Sequence, residues 1–193
     1  PEWEVKEFFR SGEISVANEI MPDMARICGG SRSPRDLNVL EIGCGIGRMT
    51  RMIATIFGSV VALDVSDEMV ARAKENLKDF SNVRVLLGDG QTLSGIESEQ
   101  VDFAFSFIVF QHIPELSTIE SYCREVFRVL KPGSLFKFQV QGDQMARQPR
   151  YDTWNGVSIS LAEAVNLAER AGFQMEAHSG QGTQYFWLTL RKG

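Results

Sequence analysis

The stretch Val39-Leu40-Glu41-Ile42-Gly43-Cys44-Gly45-Ile46-Gly47-Arg48-Met49-Thr50 decides how the rest of the chain is read. Residues 39–42 form a short apolar run carrying one acid, the pattern of a buried strand. Glycines at alternate positions follow, and beyond them Met49, Met52, Ile53, Ile56 and Phe57 recur at helical spacing. The stretch therefore predicts a strand, a tight turn and a helix. Glycine lets the backbone turn sharply and lets a ligand lie against it with no Cβ in the way. The first helical turn is expected to leave N–H groups unpaired and facing that ligand.

Two cofactor classes use such a turn. A dinucleotide site wants G-x-G-x-x-G. Gly43 and Gly45 fit, but Arg48 stands where the last glycine belongs, and Gly47 comes one residue early. Glu41 also precedes the turn, and a carboxylate suits an ammonium group better than a pyrophosphate. The plain alternative is a strand–helix turn that needs glycine for packing alone. Downstream, residues 59–65 read as an apolar strand ending at Asp64, about 20 residues beyond Gly43, where a carboxylate can accept from both hydroxyls of an adenosine ribose. Ser66 and Asp67 supply caps for the next helix, which leaves Asp64 for a ligand. A strand over 82–87 closes with Gly88-Asp89-Gly90. Asp89 can reach the exocyclic amine of adenine, or bond its own turn.

Composition narrows the classes further. At 193 residues, 44% hydrophobic and 23% charged, the chain suits one ordinary globular domain with a sizeable core. No apolar run approaches the ~20 residues of a membrane span, and no secretory signal is visible, although the chain begins at Pro1 without a Met. Net charge is -5 and basic residues are scattered, which argues against nucleic acid as a partner. Cys28, Cys44 and Cys123 lack C-x-x-C spacing and point to a reducing cytoplasm. His112 and His178 stand far apart, so no metal centre is expected.

Residues 1–36 are helical in character but outside the later alternation. Trp3, Phe8 and Phe9 gather on one short stretch, Ser11-Gly12 reads as a break, and a second helix over 15–27 is expected to kink or split at Pro22. These aromatics either pack the helix down or form a lid over a ligand. A strand over 101–107 leads to Ile108-Val109-Phe110-Gln111-His112-Ile113-Pro114. His112 is a helix-flanking residue, or a general base or substrate anchor. An amphipathic helix over 114–130 is expected to stop at Lys131-Pro132-Gly133, before a strand over 134–140. The polar stretch 141–158 reads as a loop in which Tyr151 or Trp154 could face substrate. Ser160 and Glu163 form a capping box for a helix ending at Gly172, and strands over 173–178 and 184–190 make an antiparallel hairpin. The whole is a doubly wound α/β sheet, seven-stranded and mostly parallel with the last strand antiparallel.

Glu41-x-Gly43-x-Gly45-x-Gly47, with Asp64, Asp89 and the phrase Val129-Leu130-Lys131-Pro132-Gly133, resembles the class I S-adenosylmethionine-dependent methyltransferases, over residues 37–192. The resemblance implies a Rossmann-like fold, with 1–36 as a helical cap or lid and 37–193 as the cofactor-binding domain of a single compact molecule. It implies S-adenosylmethionine as cofactor and S-adenosylhomocysteine as product. Gly43, Cys44, Gly45 and Gly47 would meet its methionine–ribose part, Glu41 its ammonium, Asp64 its ribose, Asp89 its adenine amine, and Gly88 and Gly90 would shape that turn. Val65, Met69 and Leu93 would flank the adenine, while Ser106 and Phe107 would border the methionine end and the substrate. The strand end at Ser106-Phe107-Ile108-Val109 lacks the Asp/Asn-Pro-Pro-aromatic signature of nucleic-acid amino methylation and looks like the small-molecule type. The reaction expected is methyl transfer to a small-molecule nucleophile by a cytoplasmic monomer or homodimer, with no nucleic-acid or membrane partner and His112 as the candidate catalytic residue. The alternatives are a protein methyltransferase, or a cofactor-binding partner subunit without turnover. A nicotinamide-dependent oxidoreductase is disfavoured by Arg48 and Asp89.

Overall fold

The computed structural model describes residues 2–143 and 156–193. Tyr151 and Trp154 lie outside the described residues, as does the side chain of Trp3. By its internal contacts the chain divides into two units, Pro1–Gly88 and Asp89–Gly193.

The first unit contains α1 (Glu2–Glu19), a 3-10 turn at Met21–Asp23, α2 (Met24–Ile27), a 3-10 turn at Pro34–Asp36, β1 (Asn38–Ile42), α3 (Thr50–Ile56), β2 (Ser59–Asp64), α4 (Asp67–Asn76) and β3 (Val83–Leu87). Helix α1 runs unbroken through Ser11 and Gly12, against the break expected there. The Ser11 and Ser15 hydroxyls donate back to the carbonyls of Phe8 and Ser11 at 2.6 and 2.9 Å, so both are absorbed by the helix. Gly12 serves close approach instead, because a Cβ on it would stand 2.0 Å from the Arg48 carbonyl oxygen. Pro22 does split the following segment, sitting at the start of the 3-10 turn that separates α1 from α2. Strand β2 pairs in parallel with β1 on one side, Glu41 opposite Ala62, and with β3 on the other, Asp64 opposite Leu87. Beneath the glycine turn, Cys44, Ala62, Ala73 and Leu77 form a buried cluster with Phe80, Val83 and Val85 packed against it.

The second unit contains β4 (Val101–Ser106), a 3-10 turn at Phe110–His112, α5 (Leu116–Val129), β5 (Leu130–Val140), α6 (Leu161–Arg170), β6 (Phe173–Ser179) and β7 (Phe186–Lys192). Strand β4 is parallel to β5, while β7 runs antiparallel to both β5 and β6. Helix α5 does stop before Lys131-Pro132-Gly133, at Val129, but the tripeptide lies inside β5, which begins at Leu130 and not at 134 as expected. The register jumps from Val101–Leu130 to Phe103–Leu135, so the tripeptide is taken up as a bulge, with Gly133 at φ +79. Lys131 Nζ then reaches both oxygens of buried Asp102, at 3.0 and 2.9 Å, and neutralises a charge that burial would otherwise make costly. Phe110, Phe136 and Phe138 form the aromatic core, the last two stacked at 4.3 Å. The capping box at Ser160 and Glu163 is present as expected.

The strand order is β3-β2-β1-β4-β5-β7-β6, a seven-stranded α/β sheet, mostly parallel and ending in antiparallel strands. Among the described residues, no helix is long and apolar enough to cross a membrane.

Candidate functional site

The glycine turn is built on the carboxyl ends of β1 and β2. Gly43 and Cys44 both donate to the Leu63 carbonyl, at 2.7 and 3.0 Å, and Gly45 N donates to Asp64 Oδ2 at 2.8 Å. Gly47 N closes the turn on the Cys44 carbonyl at 2.9 Å. These four N–H groups are thus satisfied within the fold; in the first turn of α3, where unpaired N–H groups were expected, Arg51 N bonds to the Gly47 carbonyl and Met52 N and Ile53 N bond to the Met49 carbonyl. Gly43, Gly45 and Gly47 all hold positive φ, at +79, +54 and +89. Gly47 also needs its missing Cβ, which would lie 2.8 Å from Leu77 Cδ1, whereas the space beside Gly45 is open. Cys44 is buried and its thiol is pushed well up by desolvation and by the carboxylates of Glu41 and Asp64.

Asp64 is half-buried. Besides Gly45 N, it accepts from Ser66 N through Oδ1 at 3.0 Å. It is tied to the turn and not free, as the sequence had implied. Yet a carboxylate offers about four acceptor positions and two bonds leave room for a diol. Ser66 caps α4, its hydroxyl accepting from Met69 N. Beside Asp64, Val65 and Leu87 are 59% and 51% exposed, two apolar side chains at successive strand ends, with half-buried Met69 a helical turn on. Gly88 donates to the Asp64 carbonyl at 2.8 Å, and a Cβ on it would meet Leu63 at 2.8 Å. Glu41 is only 4% exposed. Thr50 donates to its Oε2 at 2.6 Å, and desolvation pushes its carboxyl up to about 7 against that bond and the Arg48 charge.

In the second unit, Asp89 is exposed and accepts from Gln91 N, Thr92 N and the Thr92 hydroxyl, which hold it down at about 2. Two of those bonds fall on Oδ1 and one on Oδ2. Gly90 has φ +80. Leu93 is fully buried, with its N–H on Glu125 Oε2, so it serves the core of this unit. At the end of β4, Ser106 is buried and half-buried Phe107 stacks on Trp187 at 5.3 Å. His112 is half-buried at the end of the 3-10 turn, its Nε2 3.1 Å from Gln111 Nε2.

Several participants had no local signal. Thr50 holds Glu41 from the first turn of α3. Arg48, which broke the dinucleotide pattern, donates to the Ser11 and Ser15 hydroxyls at 3.3 and 2.9 Å and binds α1 to the turn. Ile108 holds φ +58, where a β-branched residue rarely sits. Gln139, an amide within a largely apolar strand, likewise had no local signal for its role.

A family model described as a methyltransferase domain matches residues 40–138. A probable S-adenosylmethionine-dependent methyltransferase of Mycolicibacterium smegmatis is 29% identical over 88% of this chain and 60% of its own. Phosphoethanolamine N-methyltransferase 2 of Caenorhabditis elegans is 30% identical over 70% of this chain and 32% of its own. The chain thus spans between a third and three fifths of the length of these curated relatives. Among solved structures, an Aquifex aeolicus SAM-dependent methyltransferase superposes with a TM-score of 0.67 at 21% identity, covering 96% of both chains. The family match takes in the glycine turn, Asp64 and Asp89, and it makes this chain a member of the class I S-adenosylmethionine-dependent methyltransferases, whose cofactor is S-adenosylmethionine.

Proposed function

We propose that the chain catalyses methyl transfer from S-adenosylmethionine to a small-molecule nucleophile by direct displacement. The observation that carries the reading is Asp64. It is a carboxylate fixed by two main-chain N–H groups, with acceptor capacity left over, between an open positive-φ glycine and exposed Val65 and Leu87. That set fits a ribose diol with a flat apolar base beside it.

When bound, the cofactor supplies a methyl group that its sulfonium already makes electrophilic. The residues have the remaining tasks of binding, alignment and exclusion of water, and alignment alone is worth roughly 7–11 kcal/mol. We assign Asp64 to the ribose hydroxyls, Glu41 to the ammonium, and Val65 and Met69 to the adenine faces. Gly43, Cys44, Gly45 and Gly47 give close approach to the main chain. Asp89 Oδ2, the less engaged of its two oxygens, takes the adenine amine, with Gly88 and Gly90 shaping the flanks. Ser106 and Phe107 border the reacting end, and His112 meets the substrate. Residues 1–36 form the cap, which the Arg48 bonds to α1 support. The acceptor class is supported by the Caenorhabditis relative, named for a small molecule, phosphoethanolamine. A cytoplasmic setting is supported by three cysteines that form no disulfide.

Calorimetric titration with S-adenosylhomocysteine tests the core of this reading. Hydrogen bonds to a charged group are worth about 1.5–3 kcal/mol, so Asp64→Ala should bind roughly 10- to 100-fold more weakly. Unchanged affinity would remove Asp64 from the site. Release of S-adenosylhomocysteine with a panel of small amines, phenols and carbon acids then separates an enzyme from a binder.

A further inference from the structure

A pocket of about 260 Å³ lies within the first unit, between α1 and α3. Helix α1 lends it Phe9 and Glu13, and the chain after α4 lends it Phe80. Arg48, Arg51, Met52 and Thr55 come from the other side. These four stand at i, i+3, i+4 and i+7, so they share one face of the helical stretch. The side chains that α3 buries, Thr50, Ile53 and Ala54, belong to the opposite face, and Thr50 is the one that bonds Glu41. The pocket is therefore on the outer side of α3, and Glu41 on its inner side.

Three charges line this space. Arg48 is already engaged by the Ser11 and Ser15 hydroxyls and by the field of Glu41. The Arg51 guanidinium lies over Phe9 at 5.1 Å and over Phe80 at 6.0 Å, and its side chain makes no hydrogen bond or ion pair with any described residue. The Glu13 carboxylate likewise has no such partner among the described residues. Two hydrated surface charges would be the plain account, since both side chains are exposed. Yet opposite charges here line one small pocket without pairing, and two rings hold one of them in place. A guanidinium stacked on rings keeps its N–H edge for a ligand and has little freedom left to lose. That edge takes a carboxylate through two parallel bonds. Glu13 takes an ammonium. A plain anion would leave Glu13 beside a like charge, and a plain amine would do the same to Arg51, so a ligand carrying both signs is selected. The volume falls below the roughly 300–1,000 Å³ of sites for drug-sized ligands, which sets the size at a small metabolite.

We propose that this pocket is a second binding site, for an α-amino acid with an apolar side chain, whose carboxylate meets Arg51, whose ammonium meets Glu13 and whose side chain lies against Phe9, Phe80 and Met52. Glu13 belongs to α1 and Arg51 to α3, so the occupant ties these two helices together. That tie adds to the Arg48 bonds that already hold α1 to the glycine turn. The site does not depend on methyl transfer.

L-Phenylalanine tests the two charges against analogues that each lack one: 3-phenylpropanoate has no ammonium, and 2-phenylethylamine has no carboxylate. In amide proton–nitrogen NMR titrations of the full chain, phenylalanine should shift the resonances of residues 9–13, 48–55 and 80. Each analogue should bind about fivefold more weakly, the upper range for an exposed charge pair. Arg51→Gln should erase the preference over 2-phenylethylamine, and Glu13→Gln the preference over 3-phenylpropanoate. Both side chains are exposed, so the variants should keep the wild-type far-UV spectrum. No shift at these residues up to the solubility of phenylalanine overturns the proposal. So do equal affinities for the three probes, or preferences that survive both substitutions. Shifts centred on residues 43–47 and Asp64 would put the amino acid at the glycine turn and overturn it as well. Calorimetry with S-adenosylhomocysteine is a separate measurement, so failure of this site and failure of the cofactor site are distinguishable.

Discussion

Glu41 is a buried carboxyl group that accepts a hydrogen bond from the Thr50 hydroxyl. Its ordinary value of 4.5 rises to about 7 in the folded chain. Below the lower value both folded and unfolded chains carry the proton. Between the two values the unfolded chain releases it first, so the folded state loses stability as pH rises, and the loss is complete above the folded value. At 1.4 kcal/mol per unit, the total is about 3 kcal/mol. Urea unfolding of wild type against Glu41→Gln should show the difference growing from about pH 4.5 to about pH 7, with the variant lacking that slope. Parallel curves would mean that Glu41 ionises normally. At this scale the sequence was readable where a residue acts through its own strand or turn. Asp64 stands at the strand end expected of it. The bonds that complete its surroundings, Thr50 to Glu41 and Arg48 to Ser11, join residues whose pairing only the folded chain reveals. Asp89 was ambiguous from the start, since an acid between glycines bonds its own turn as readily as a ligand.

Among elements, α1 shows where local reasoning misleads. Ser-Gly is a strong punctuation mark in a helix, because glycine costs about 1 kcal/mol relative to alanine there. The reason for Gly12 is instead a tertiary contact with the Arg48 main chain. Gly12→Ala should therefore gain helix propensity yet lose stability, by about 1–3 kcal/mol from overpacking against an atom that cannot rotate away. The melting temperature should fall and hydrogen exchange in residues 2–19 should quicken. A higher melting temperature would show that α1 is not docked on the turn. Lys131-Pro132-Gly133 makes the same point for strands. Its residues read as a stop, but the lysine is needed opposite buried Asp102, and β5 accommodates it by bulging.

For the molecule as a whole, the α/β alternation was legible because each strand–turn–helix unit carries its own periodicity and caps. The seven-stranded, mostly parallel sheet with its antiparallel end followed from that alternation, whereas the order of its strands is seen only in the folded chain. What periodicity does not encode is a junction such as Gln139, which ties Ile108 and Gln111, on one stretch, to Gln184 on another. The three cysteines are spread through both units, and Cys28, Cys44 and Cys123 are 8%, 4% and 0% exposed. Thiolate is the reactive form, and burial raises the thiols of Cys44 and Cys123 far from it. The native protein should thus stay silent toward alkylating reagents and release three equivalents only in denaturant. Labelling of Cys44 under native conditions becomes a clock for opening of the glycine turn, and occupancy by the adenosyl ligand should slow that clock.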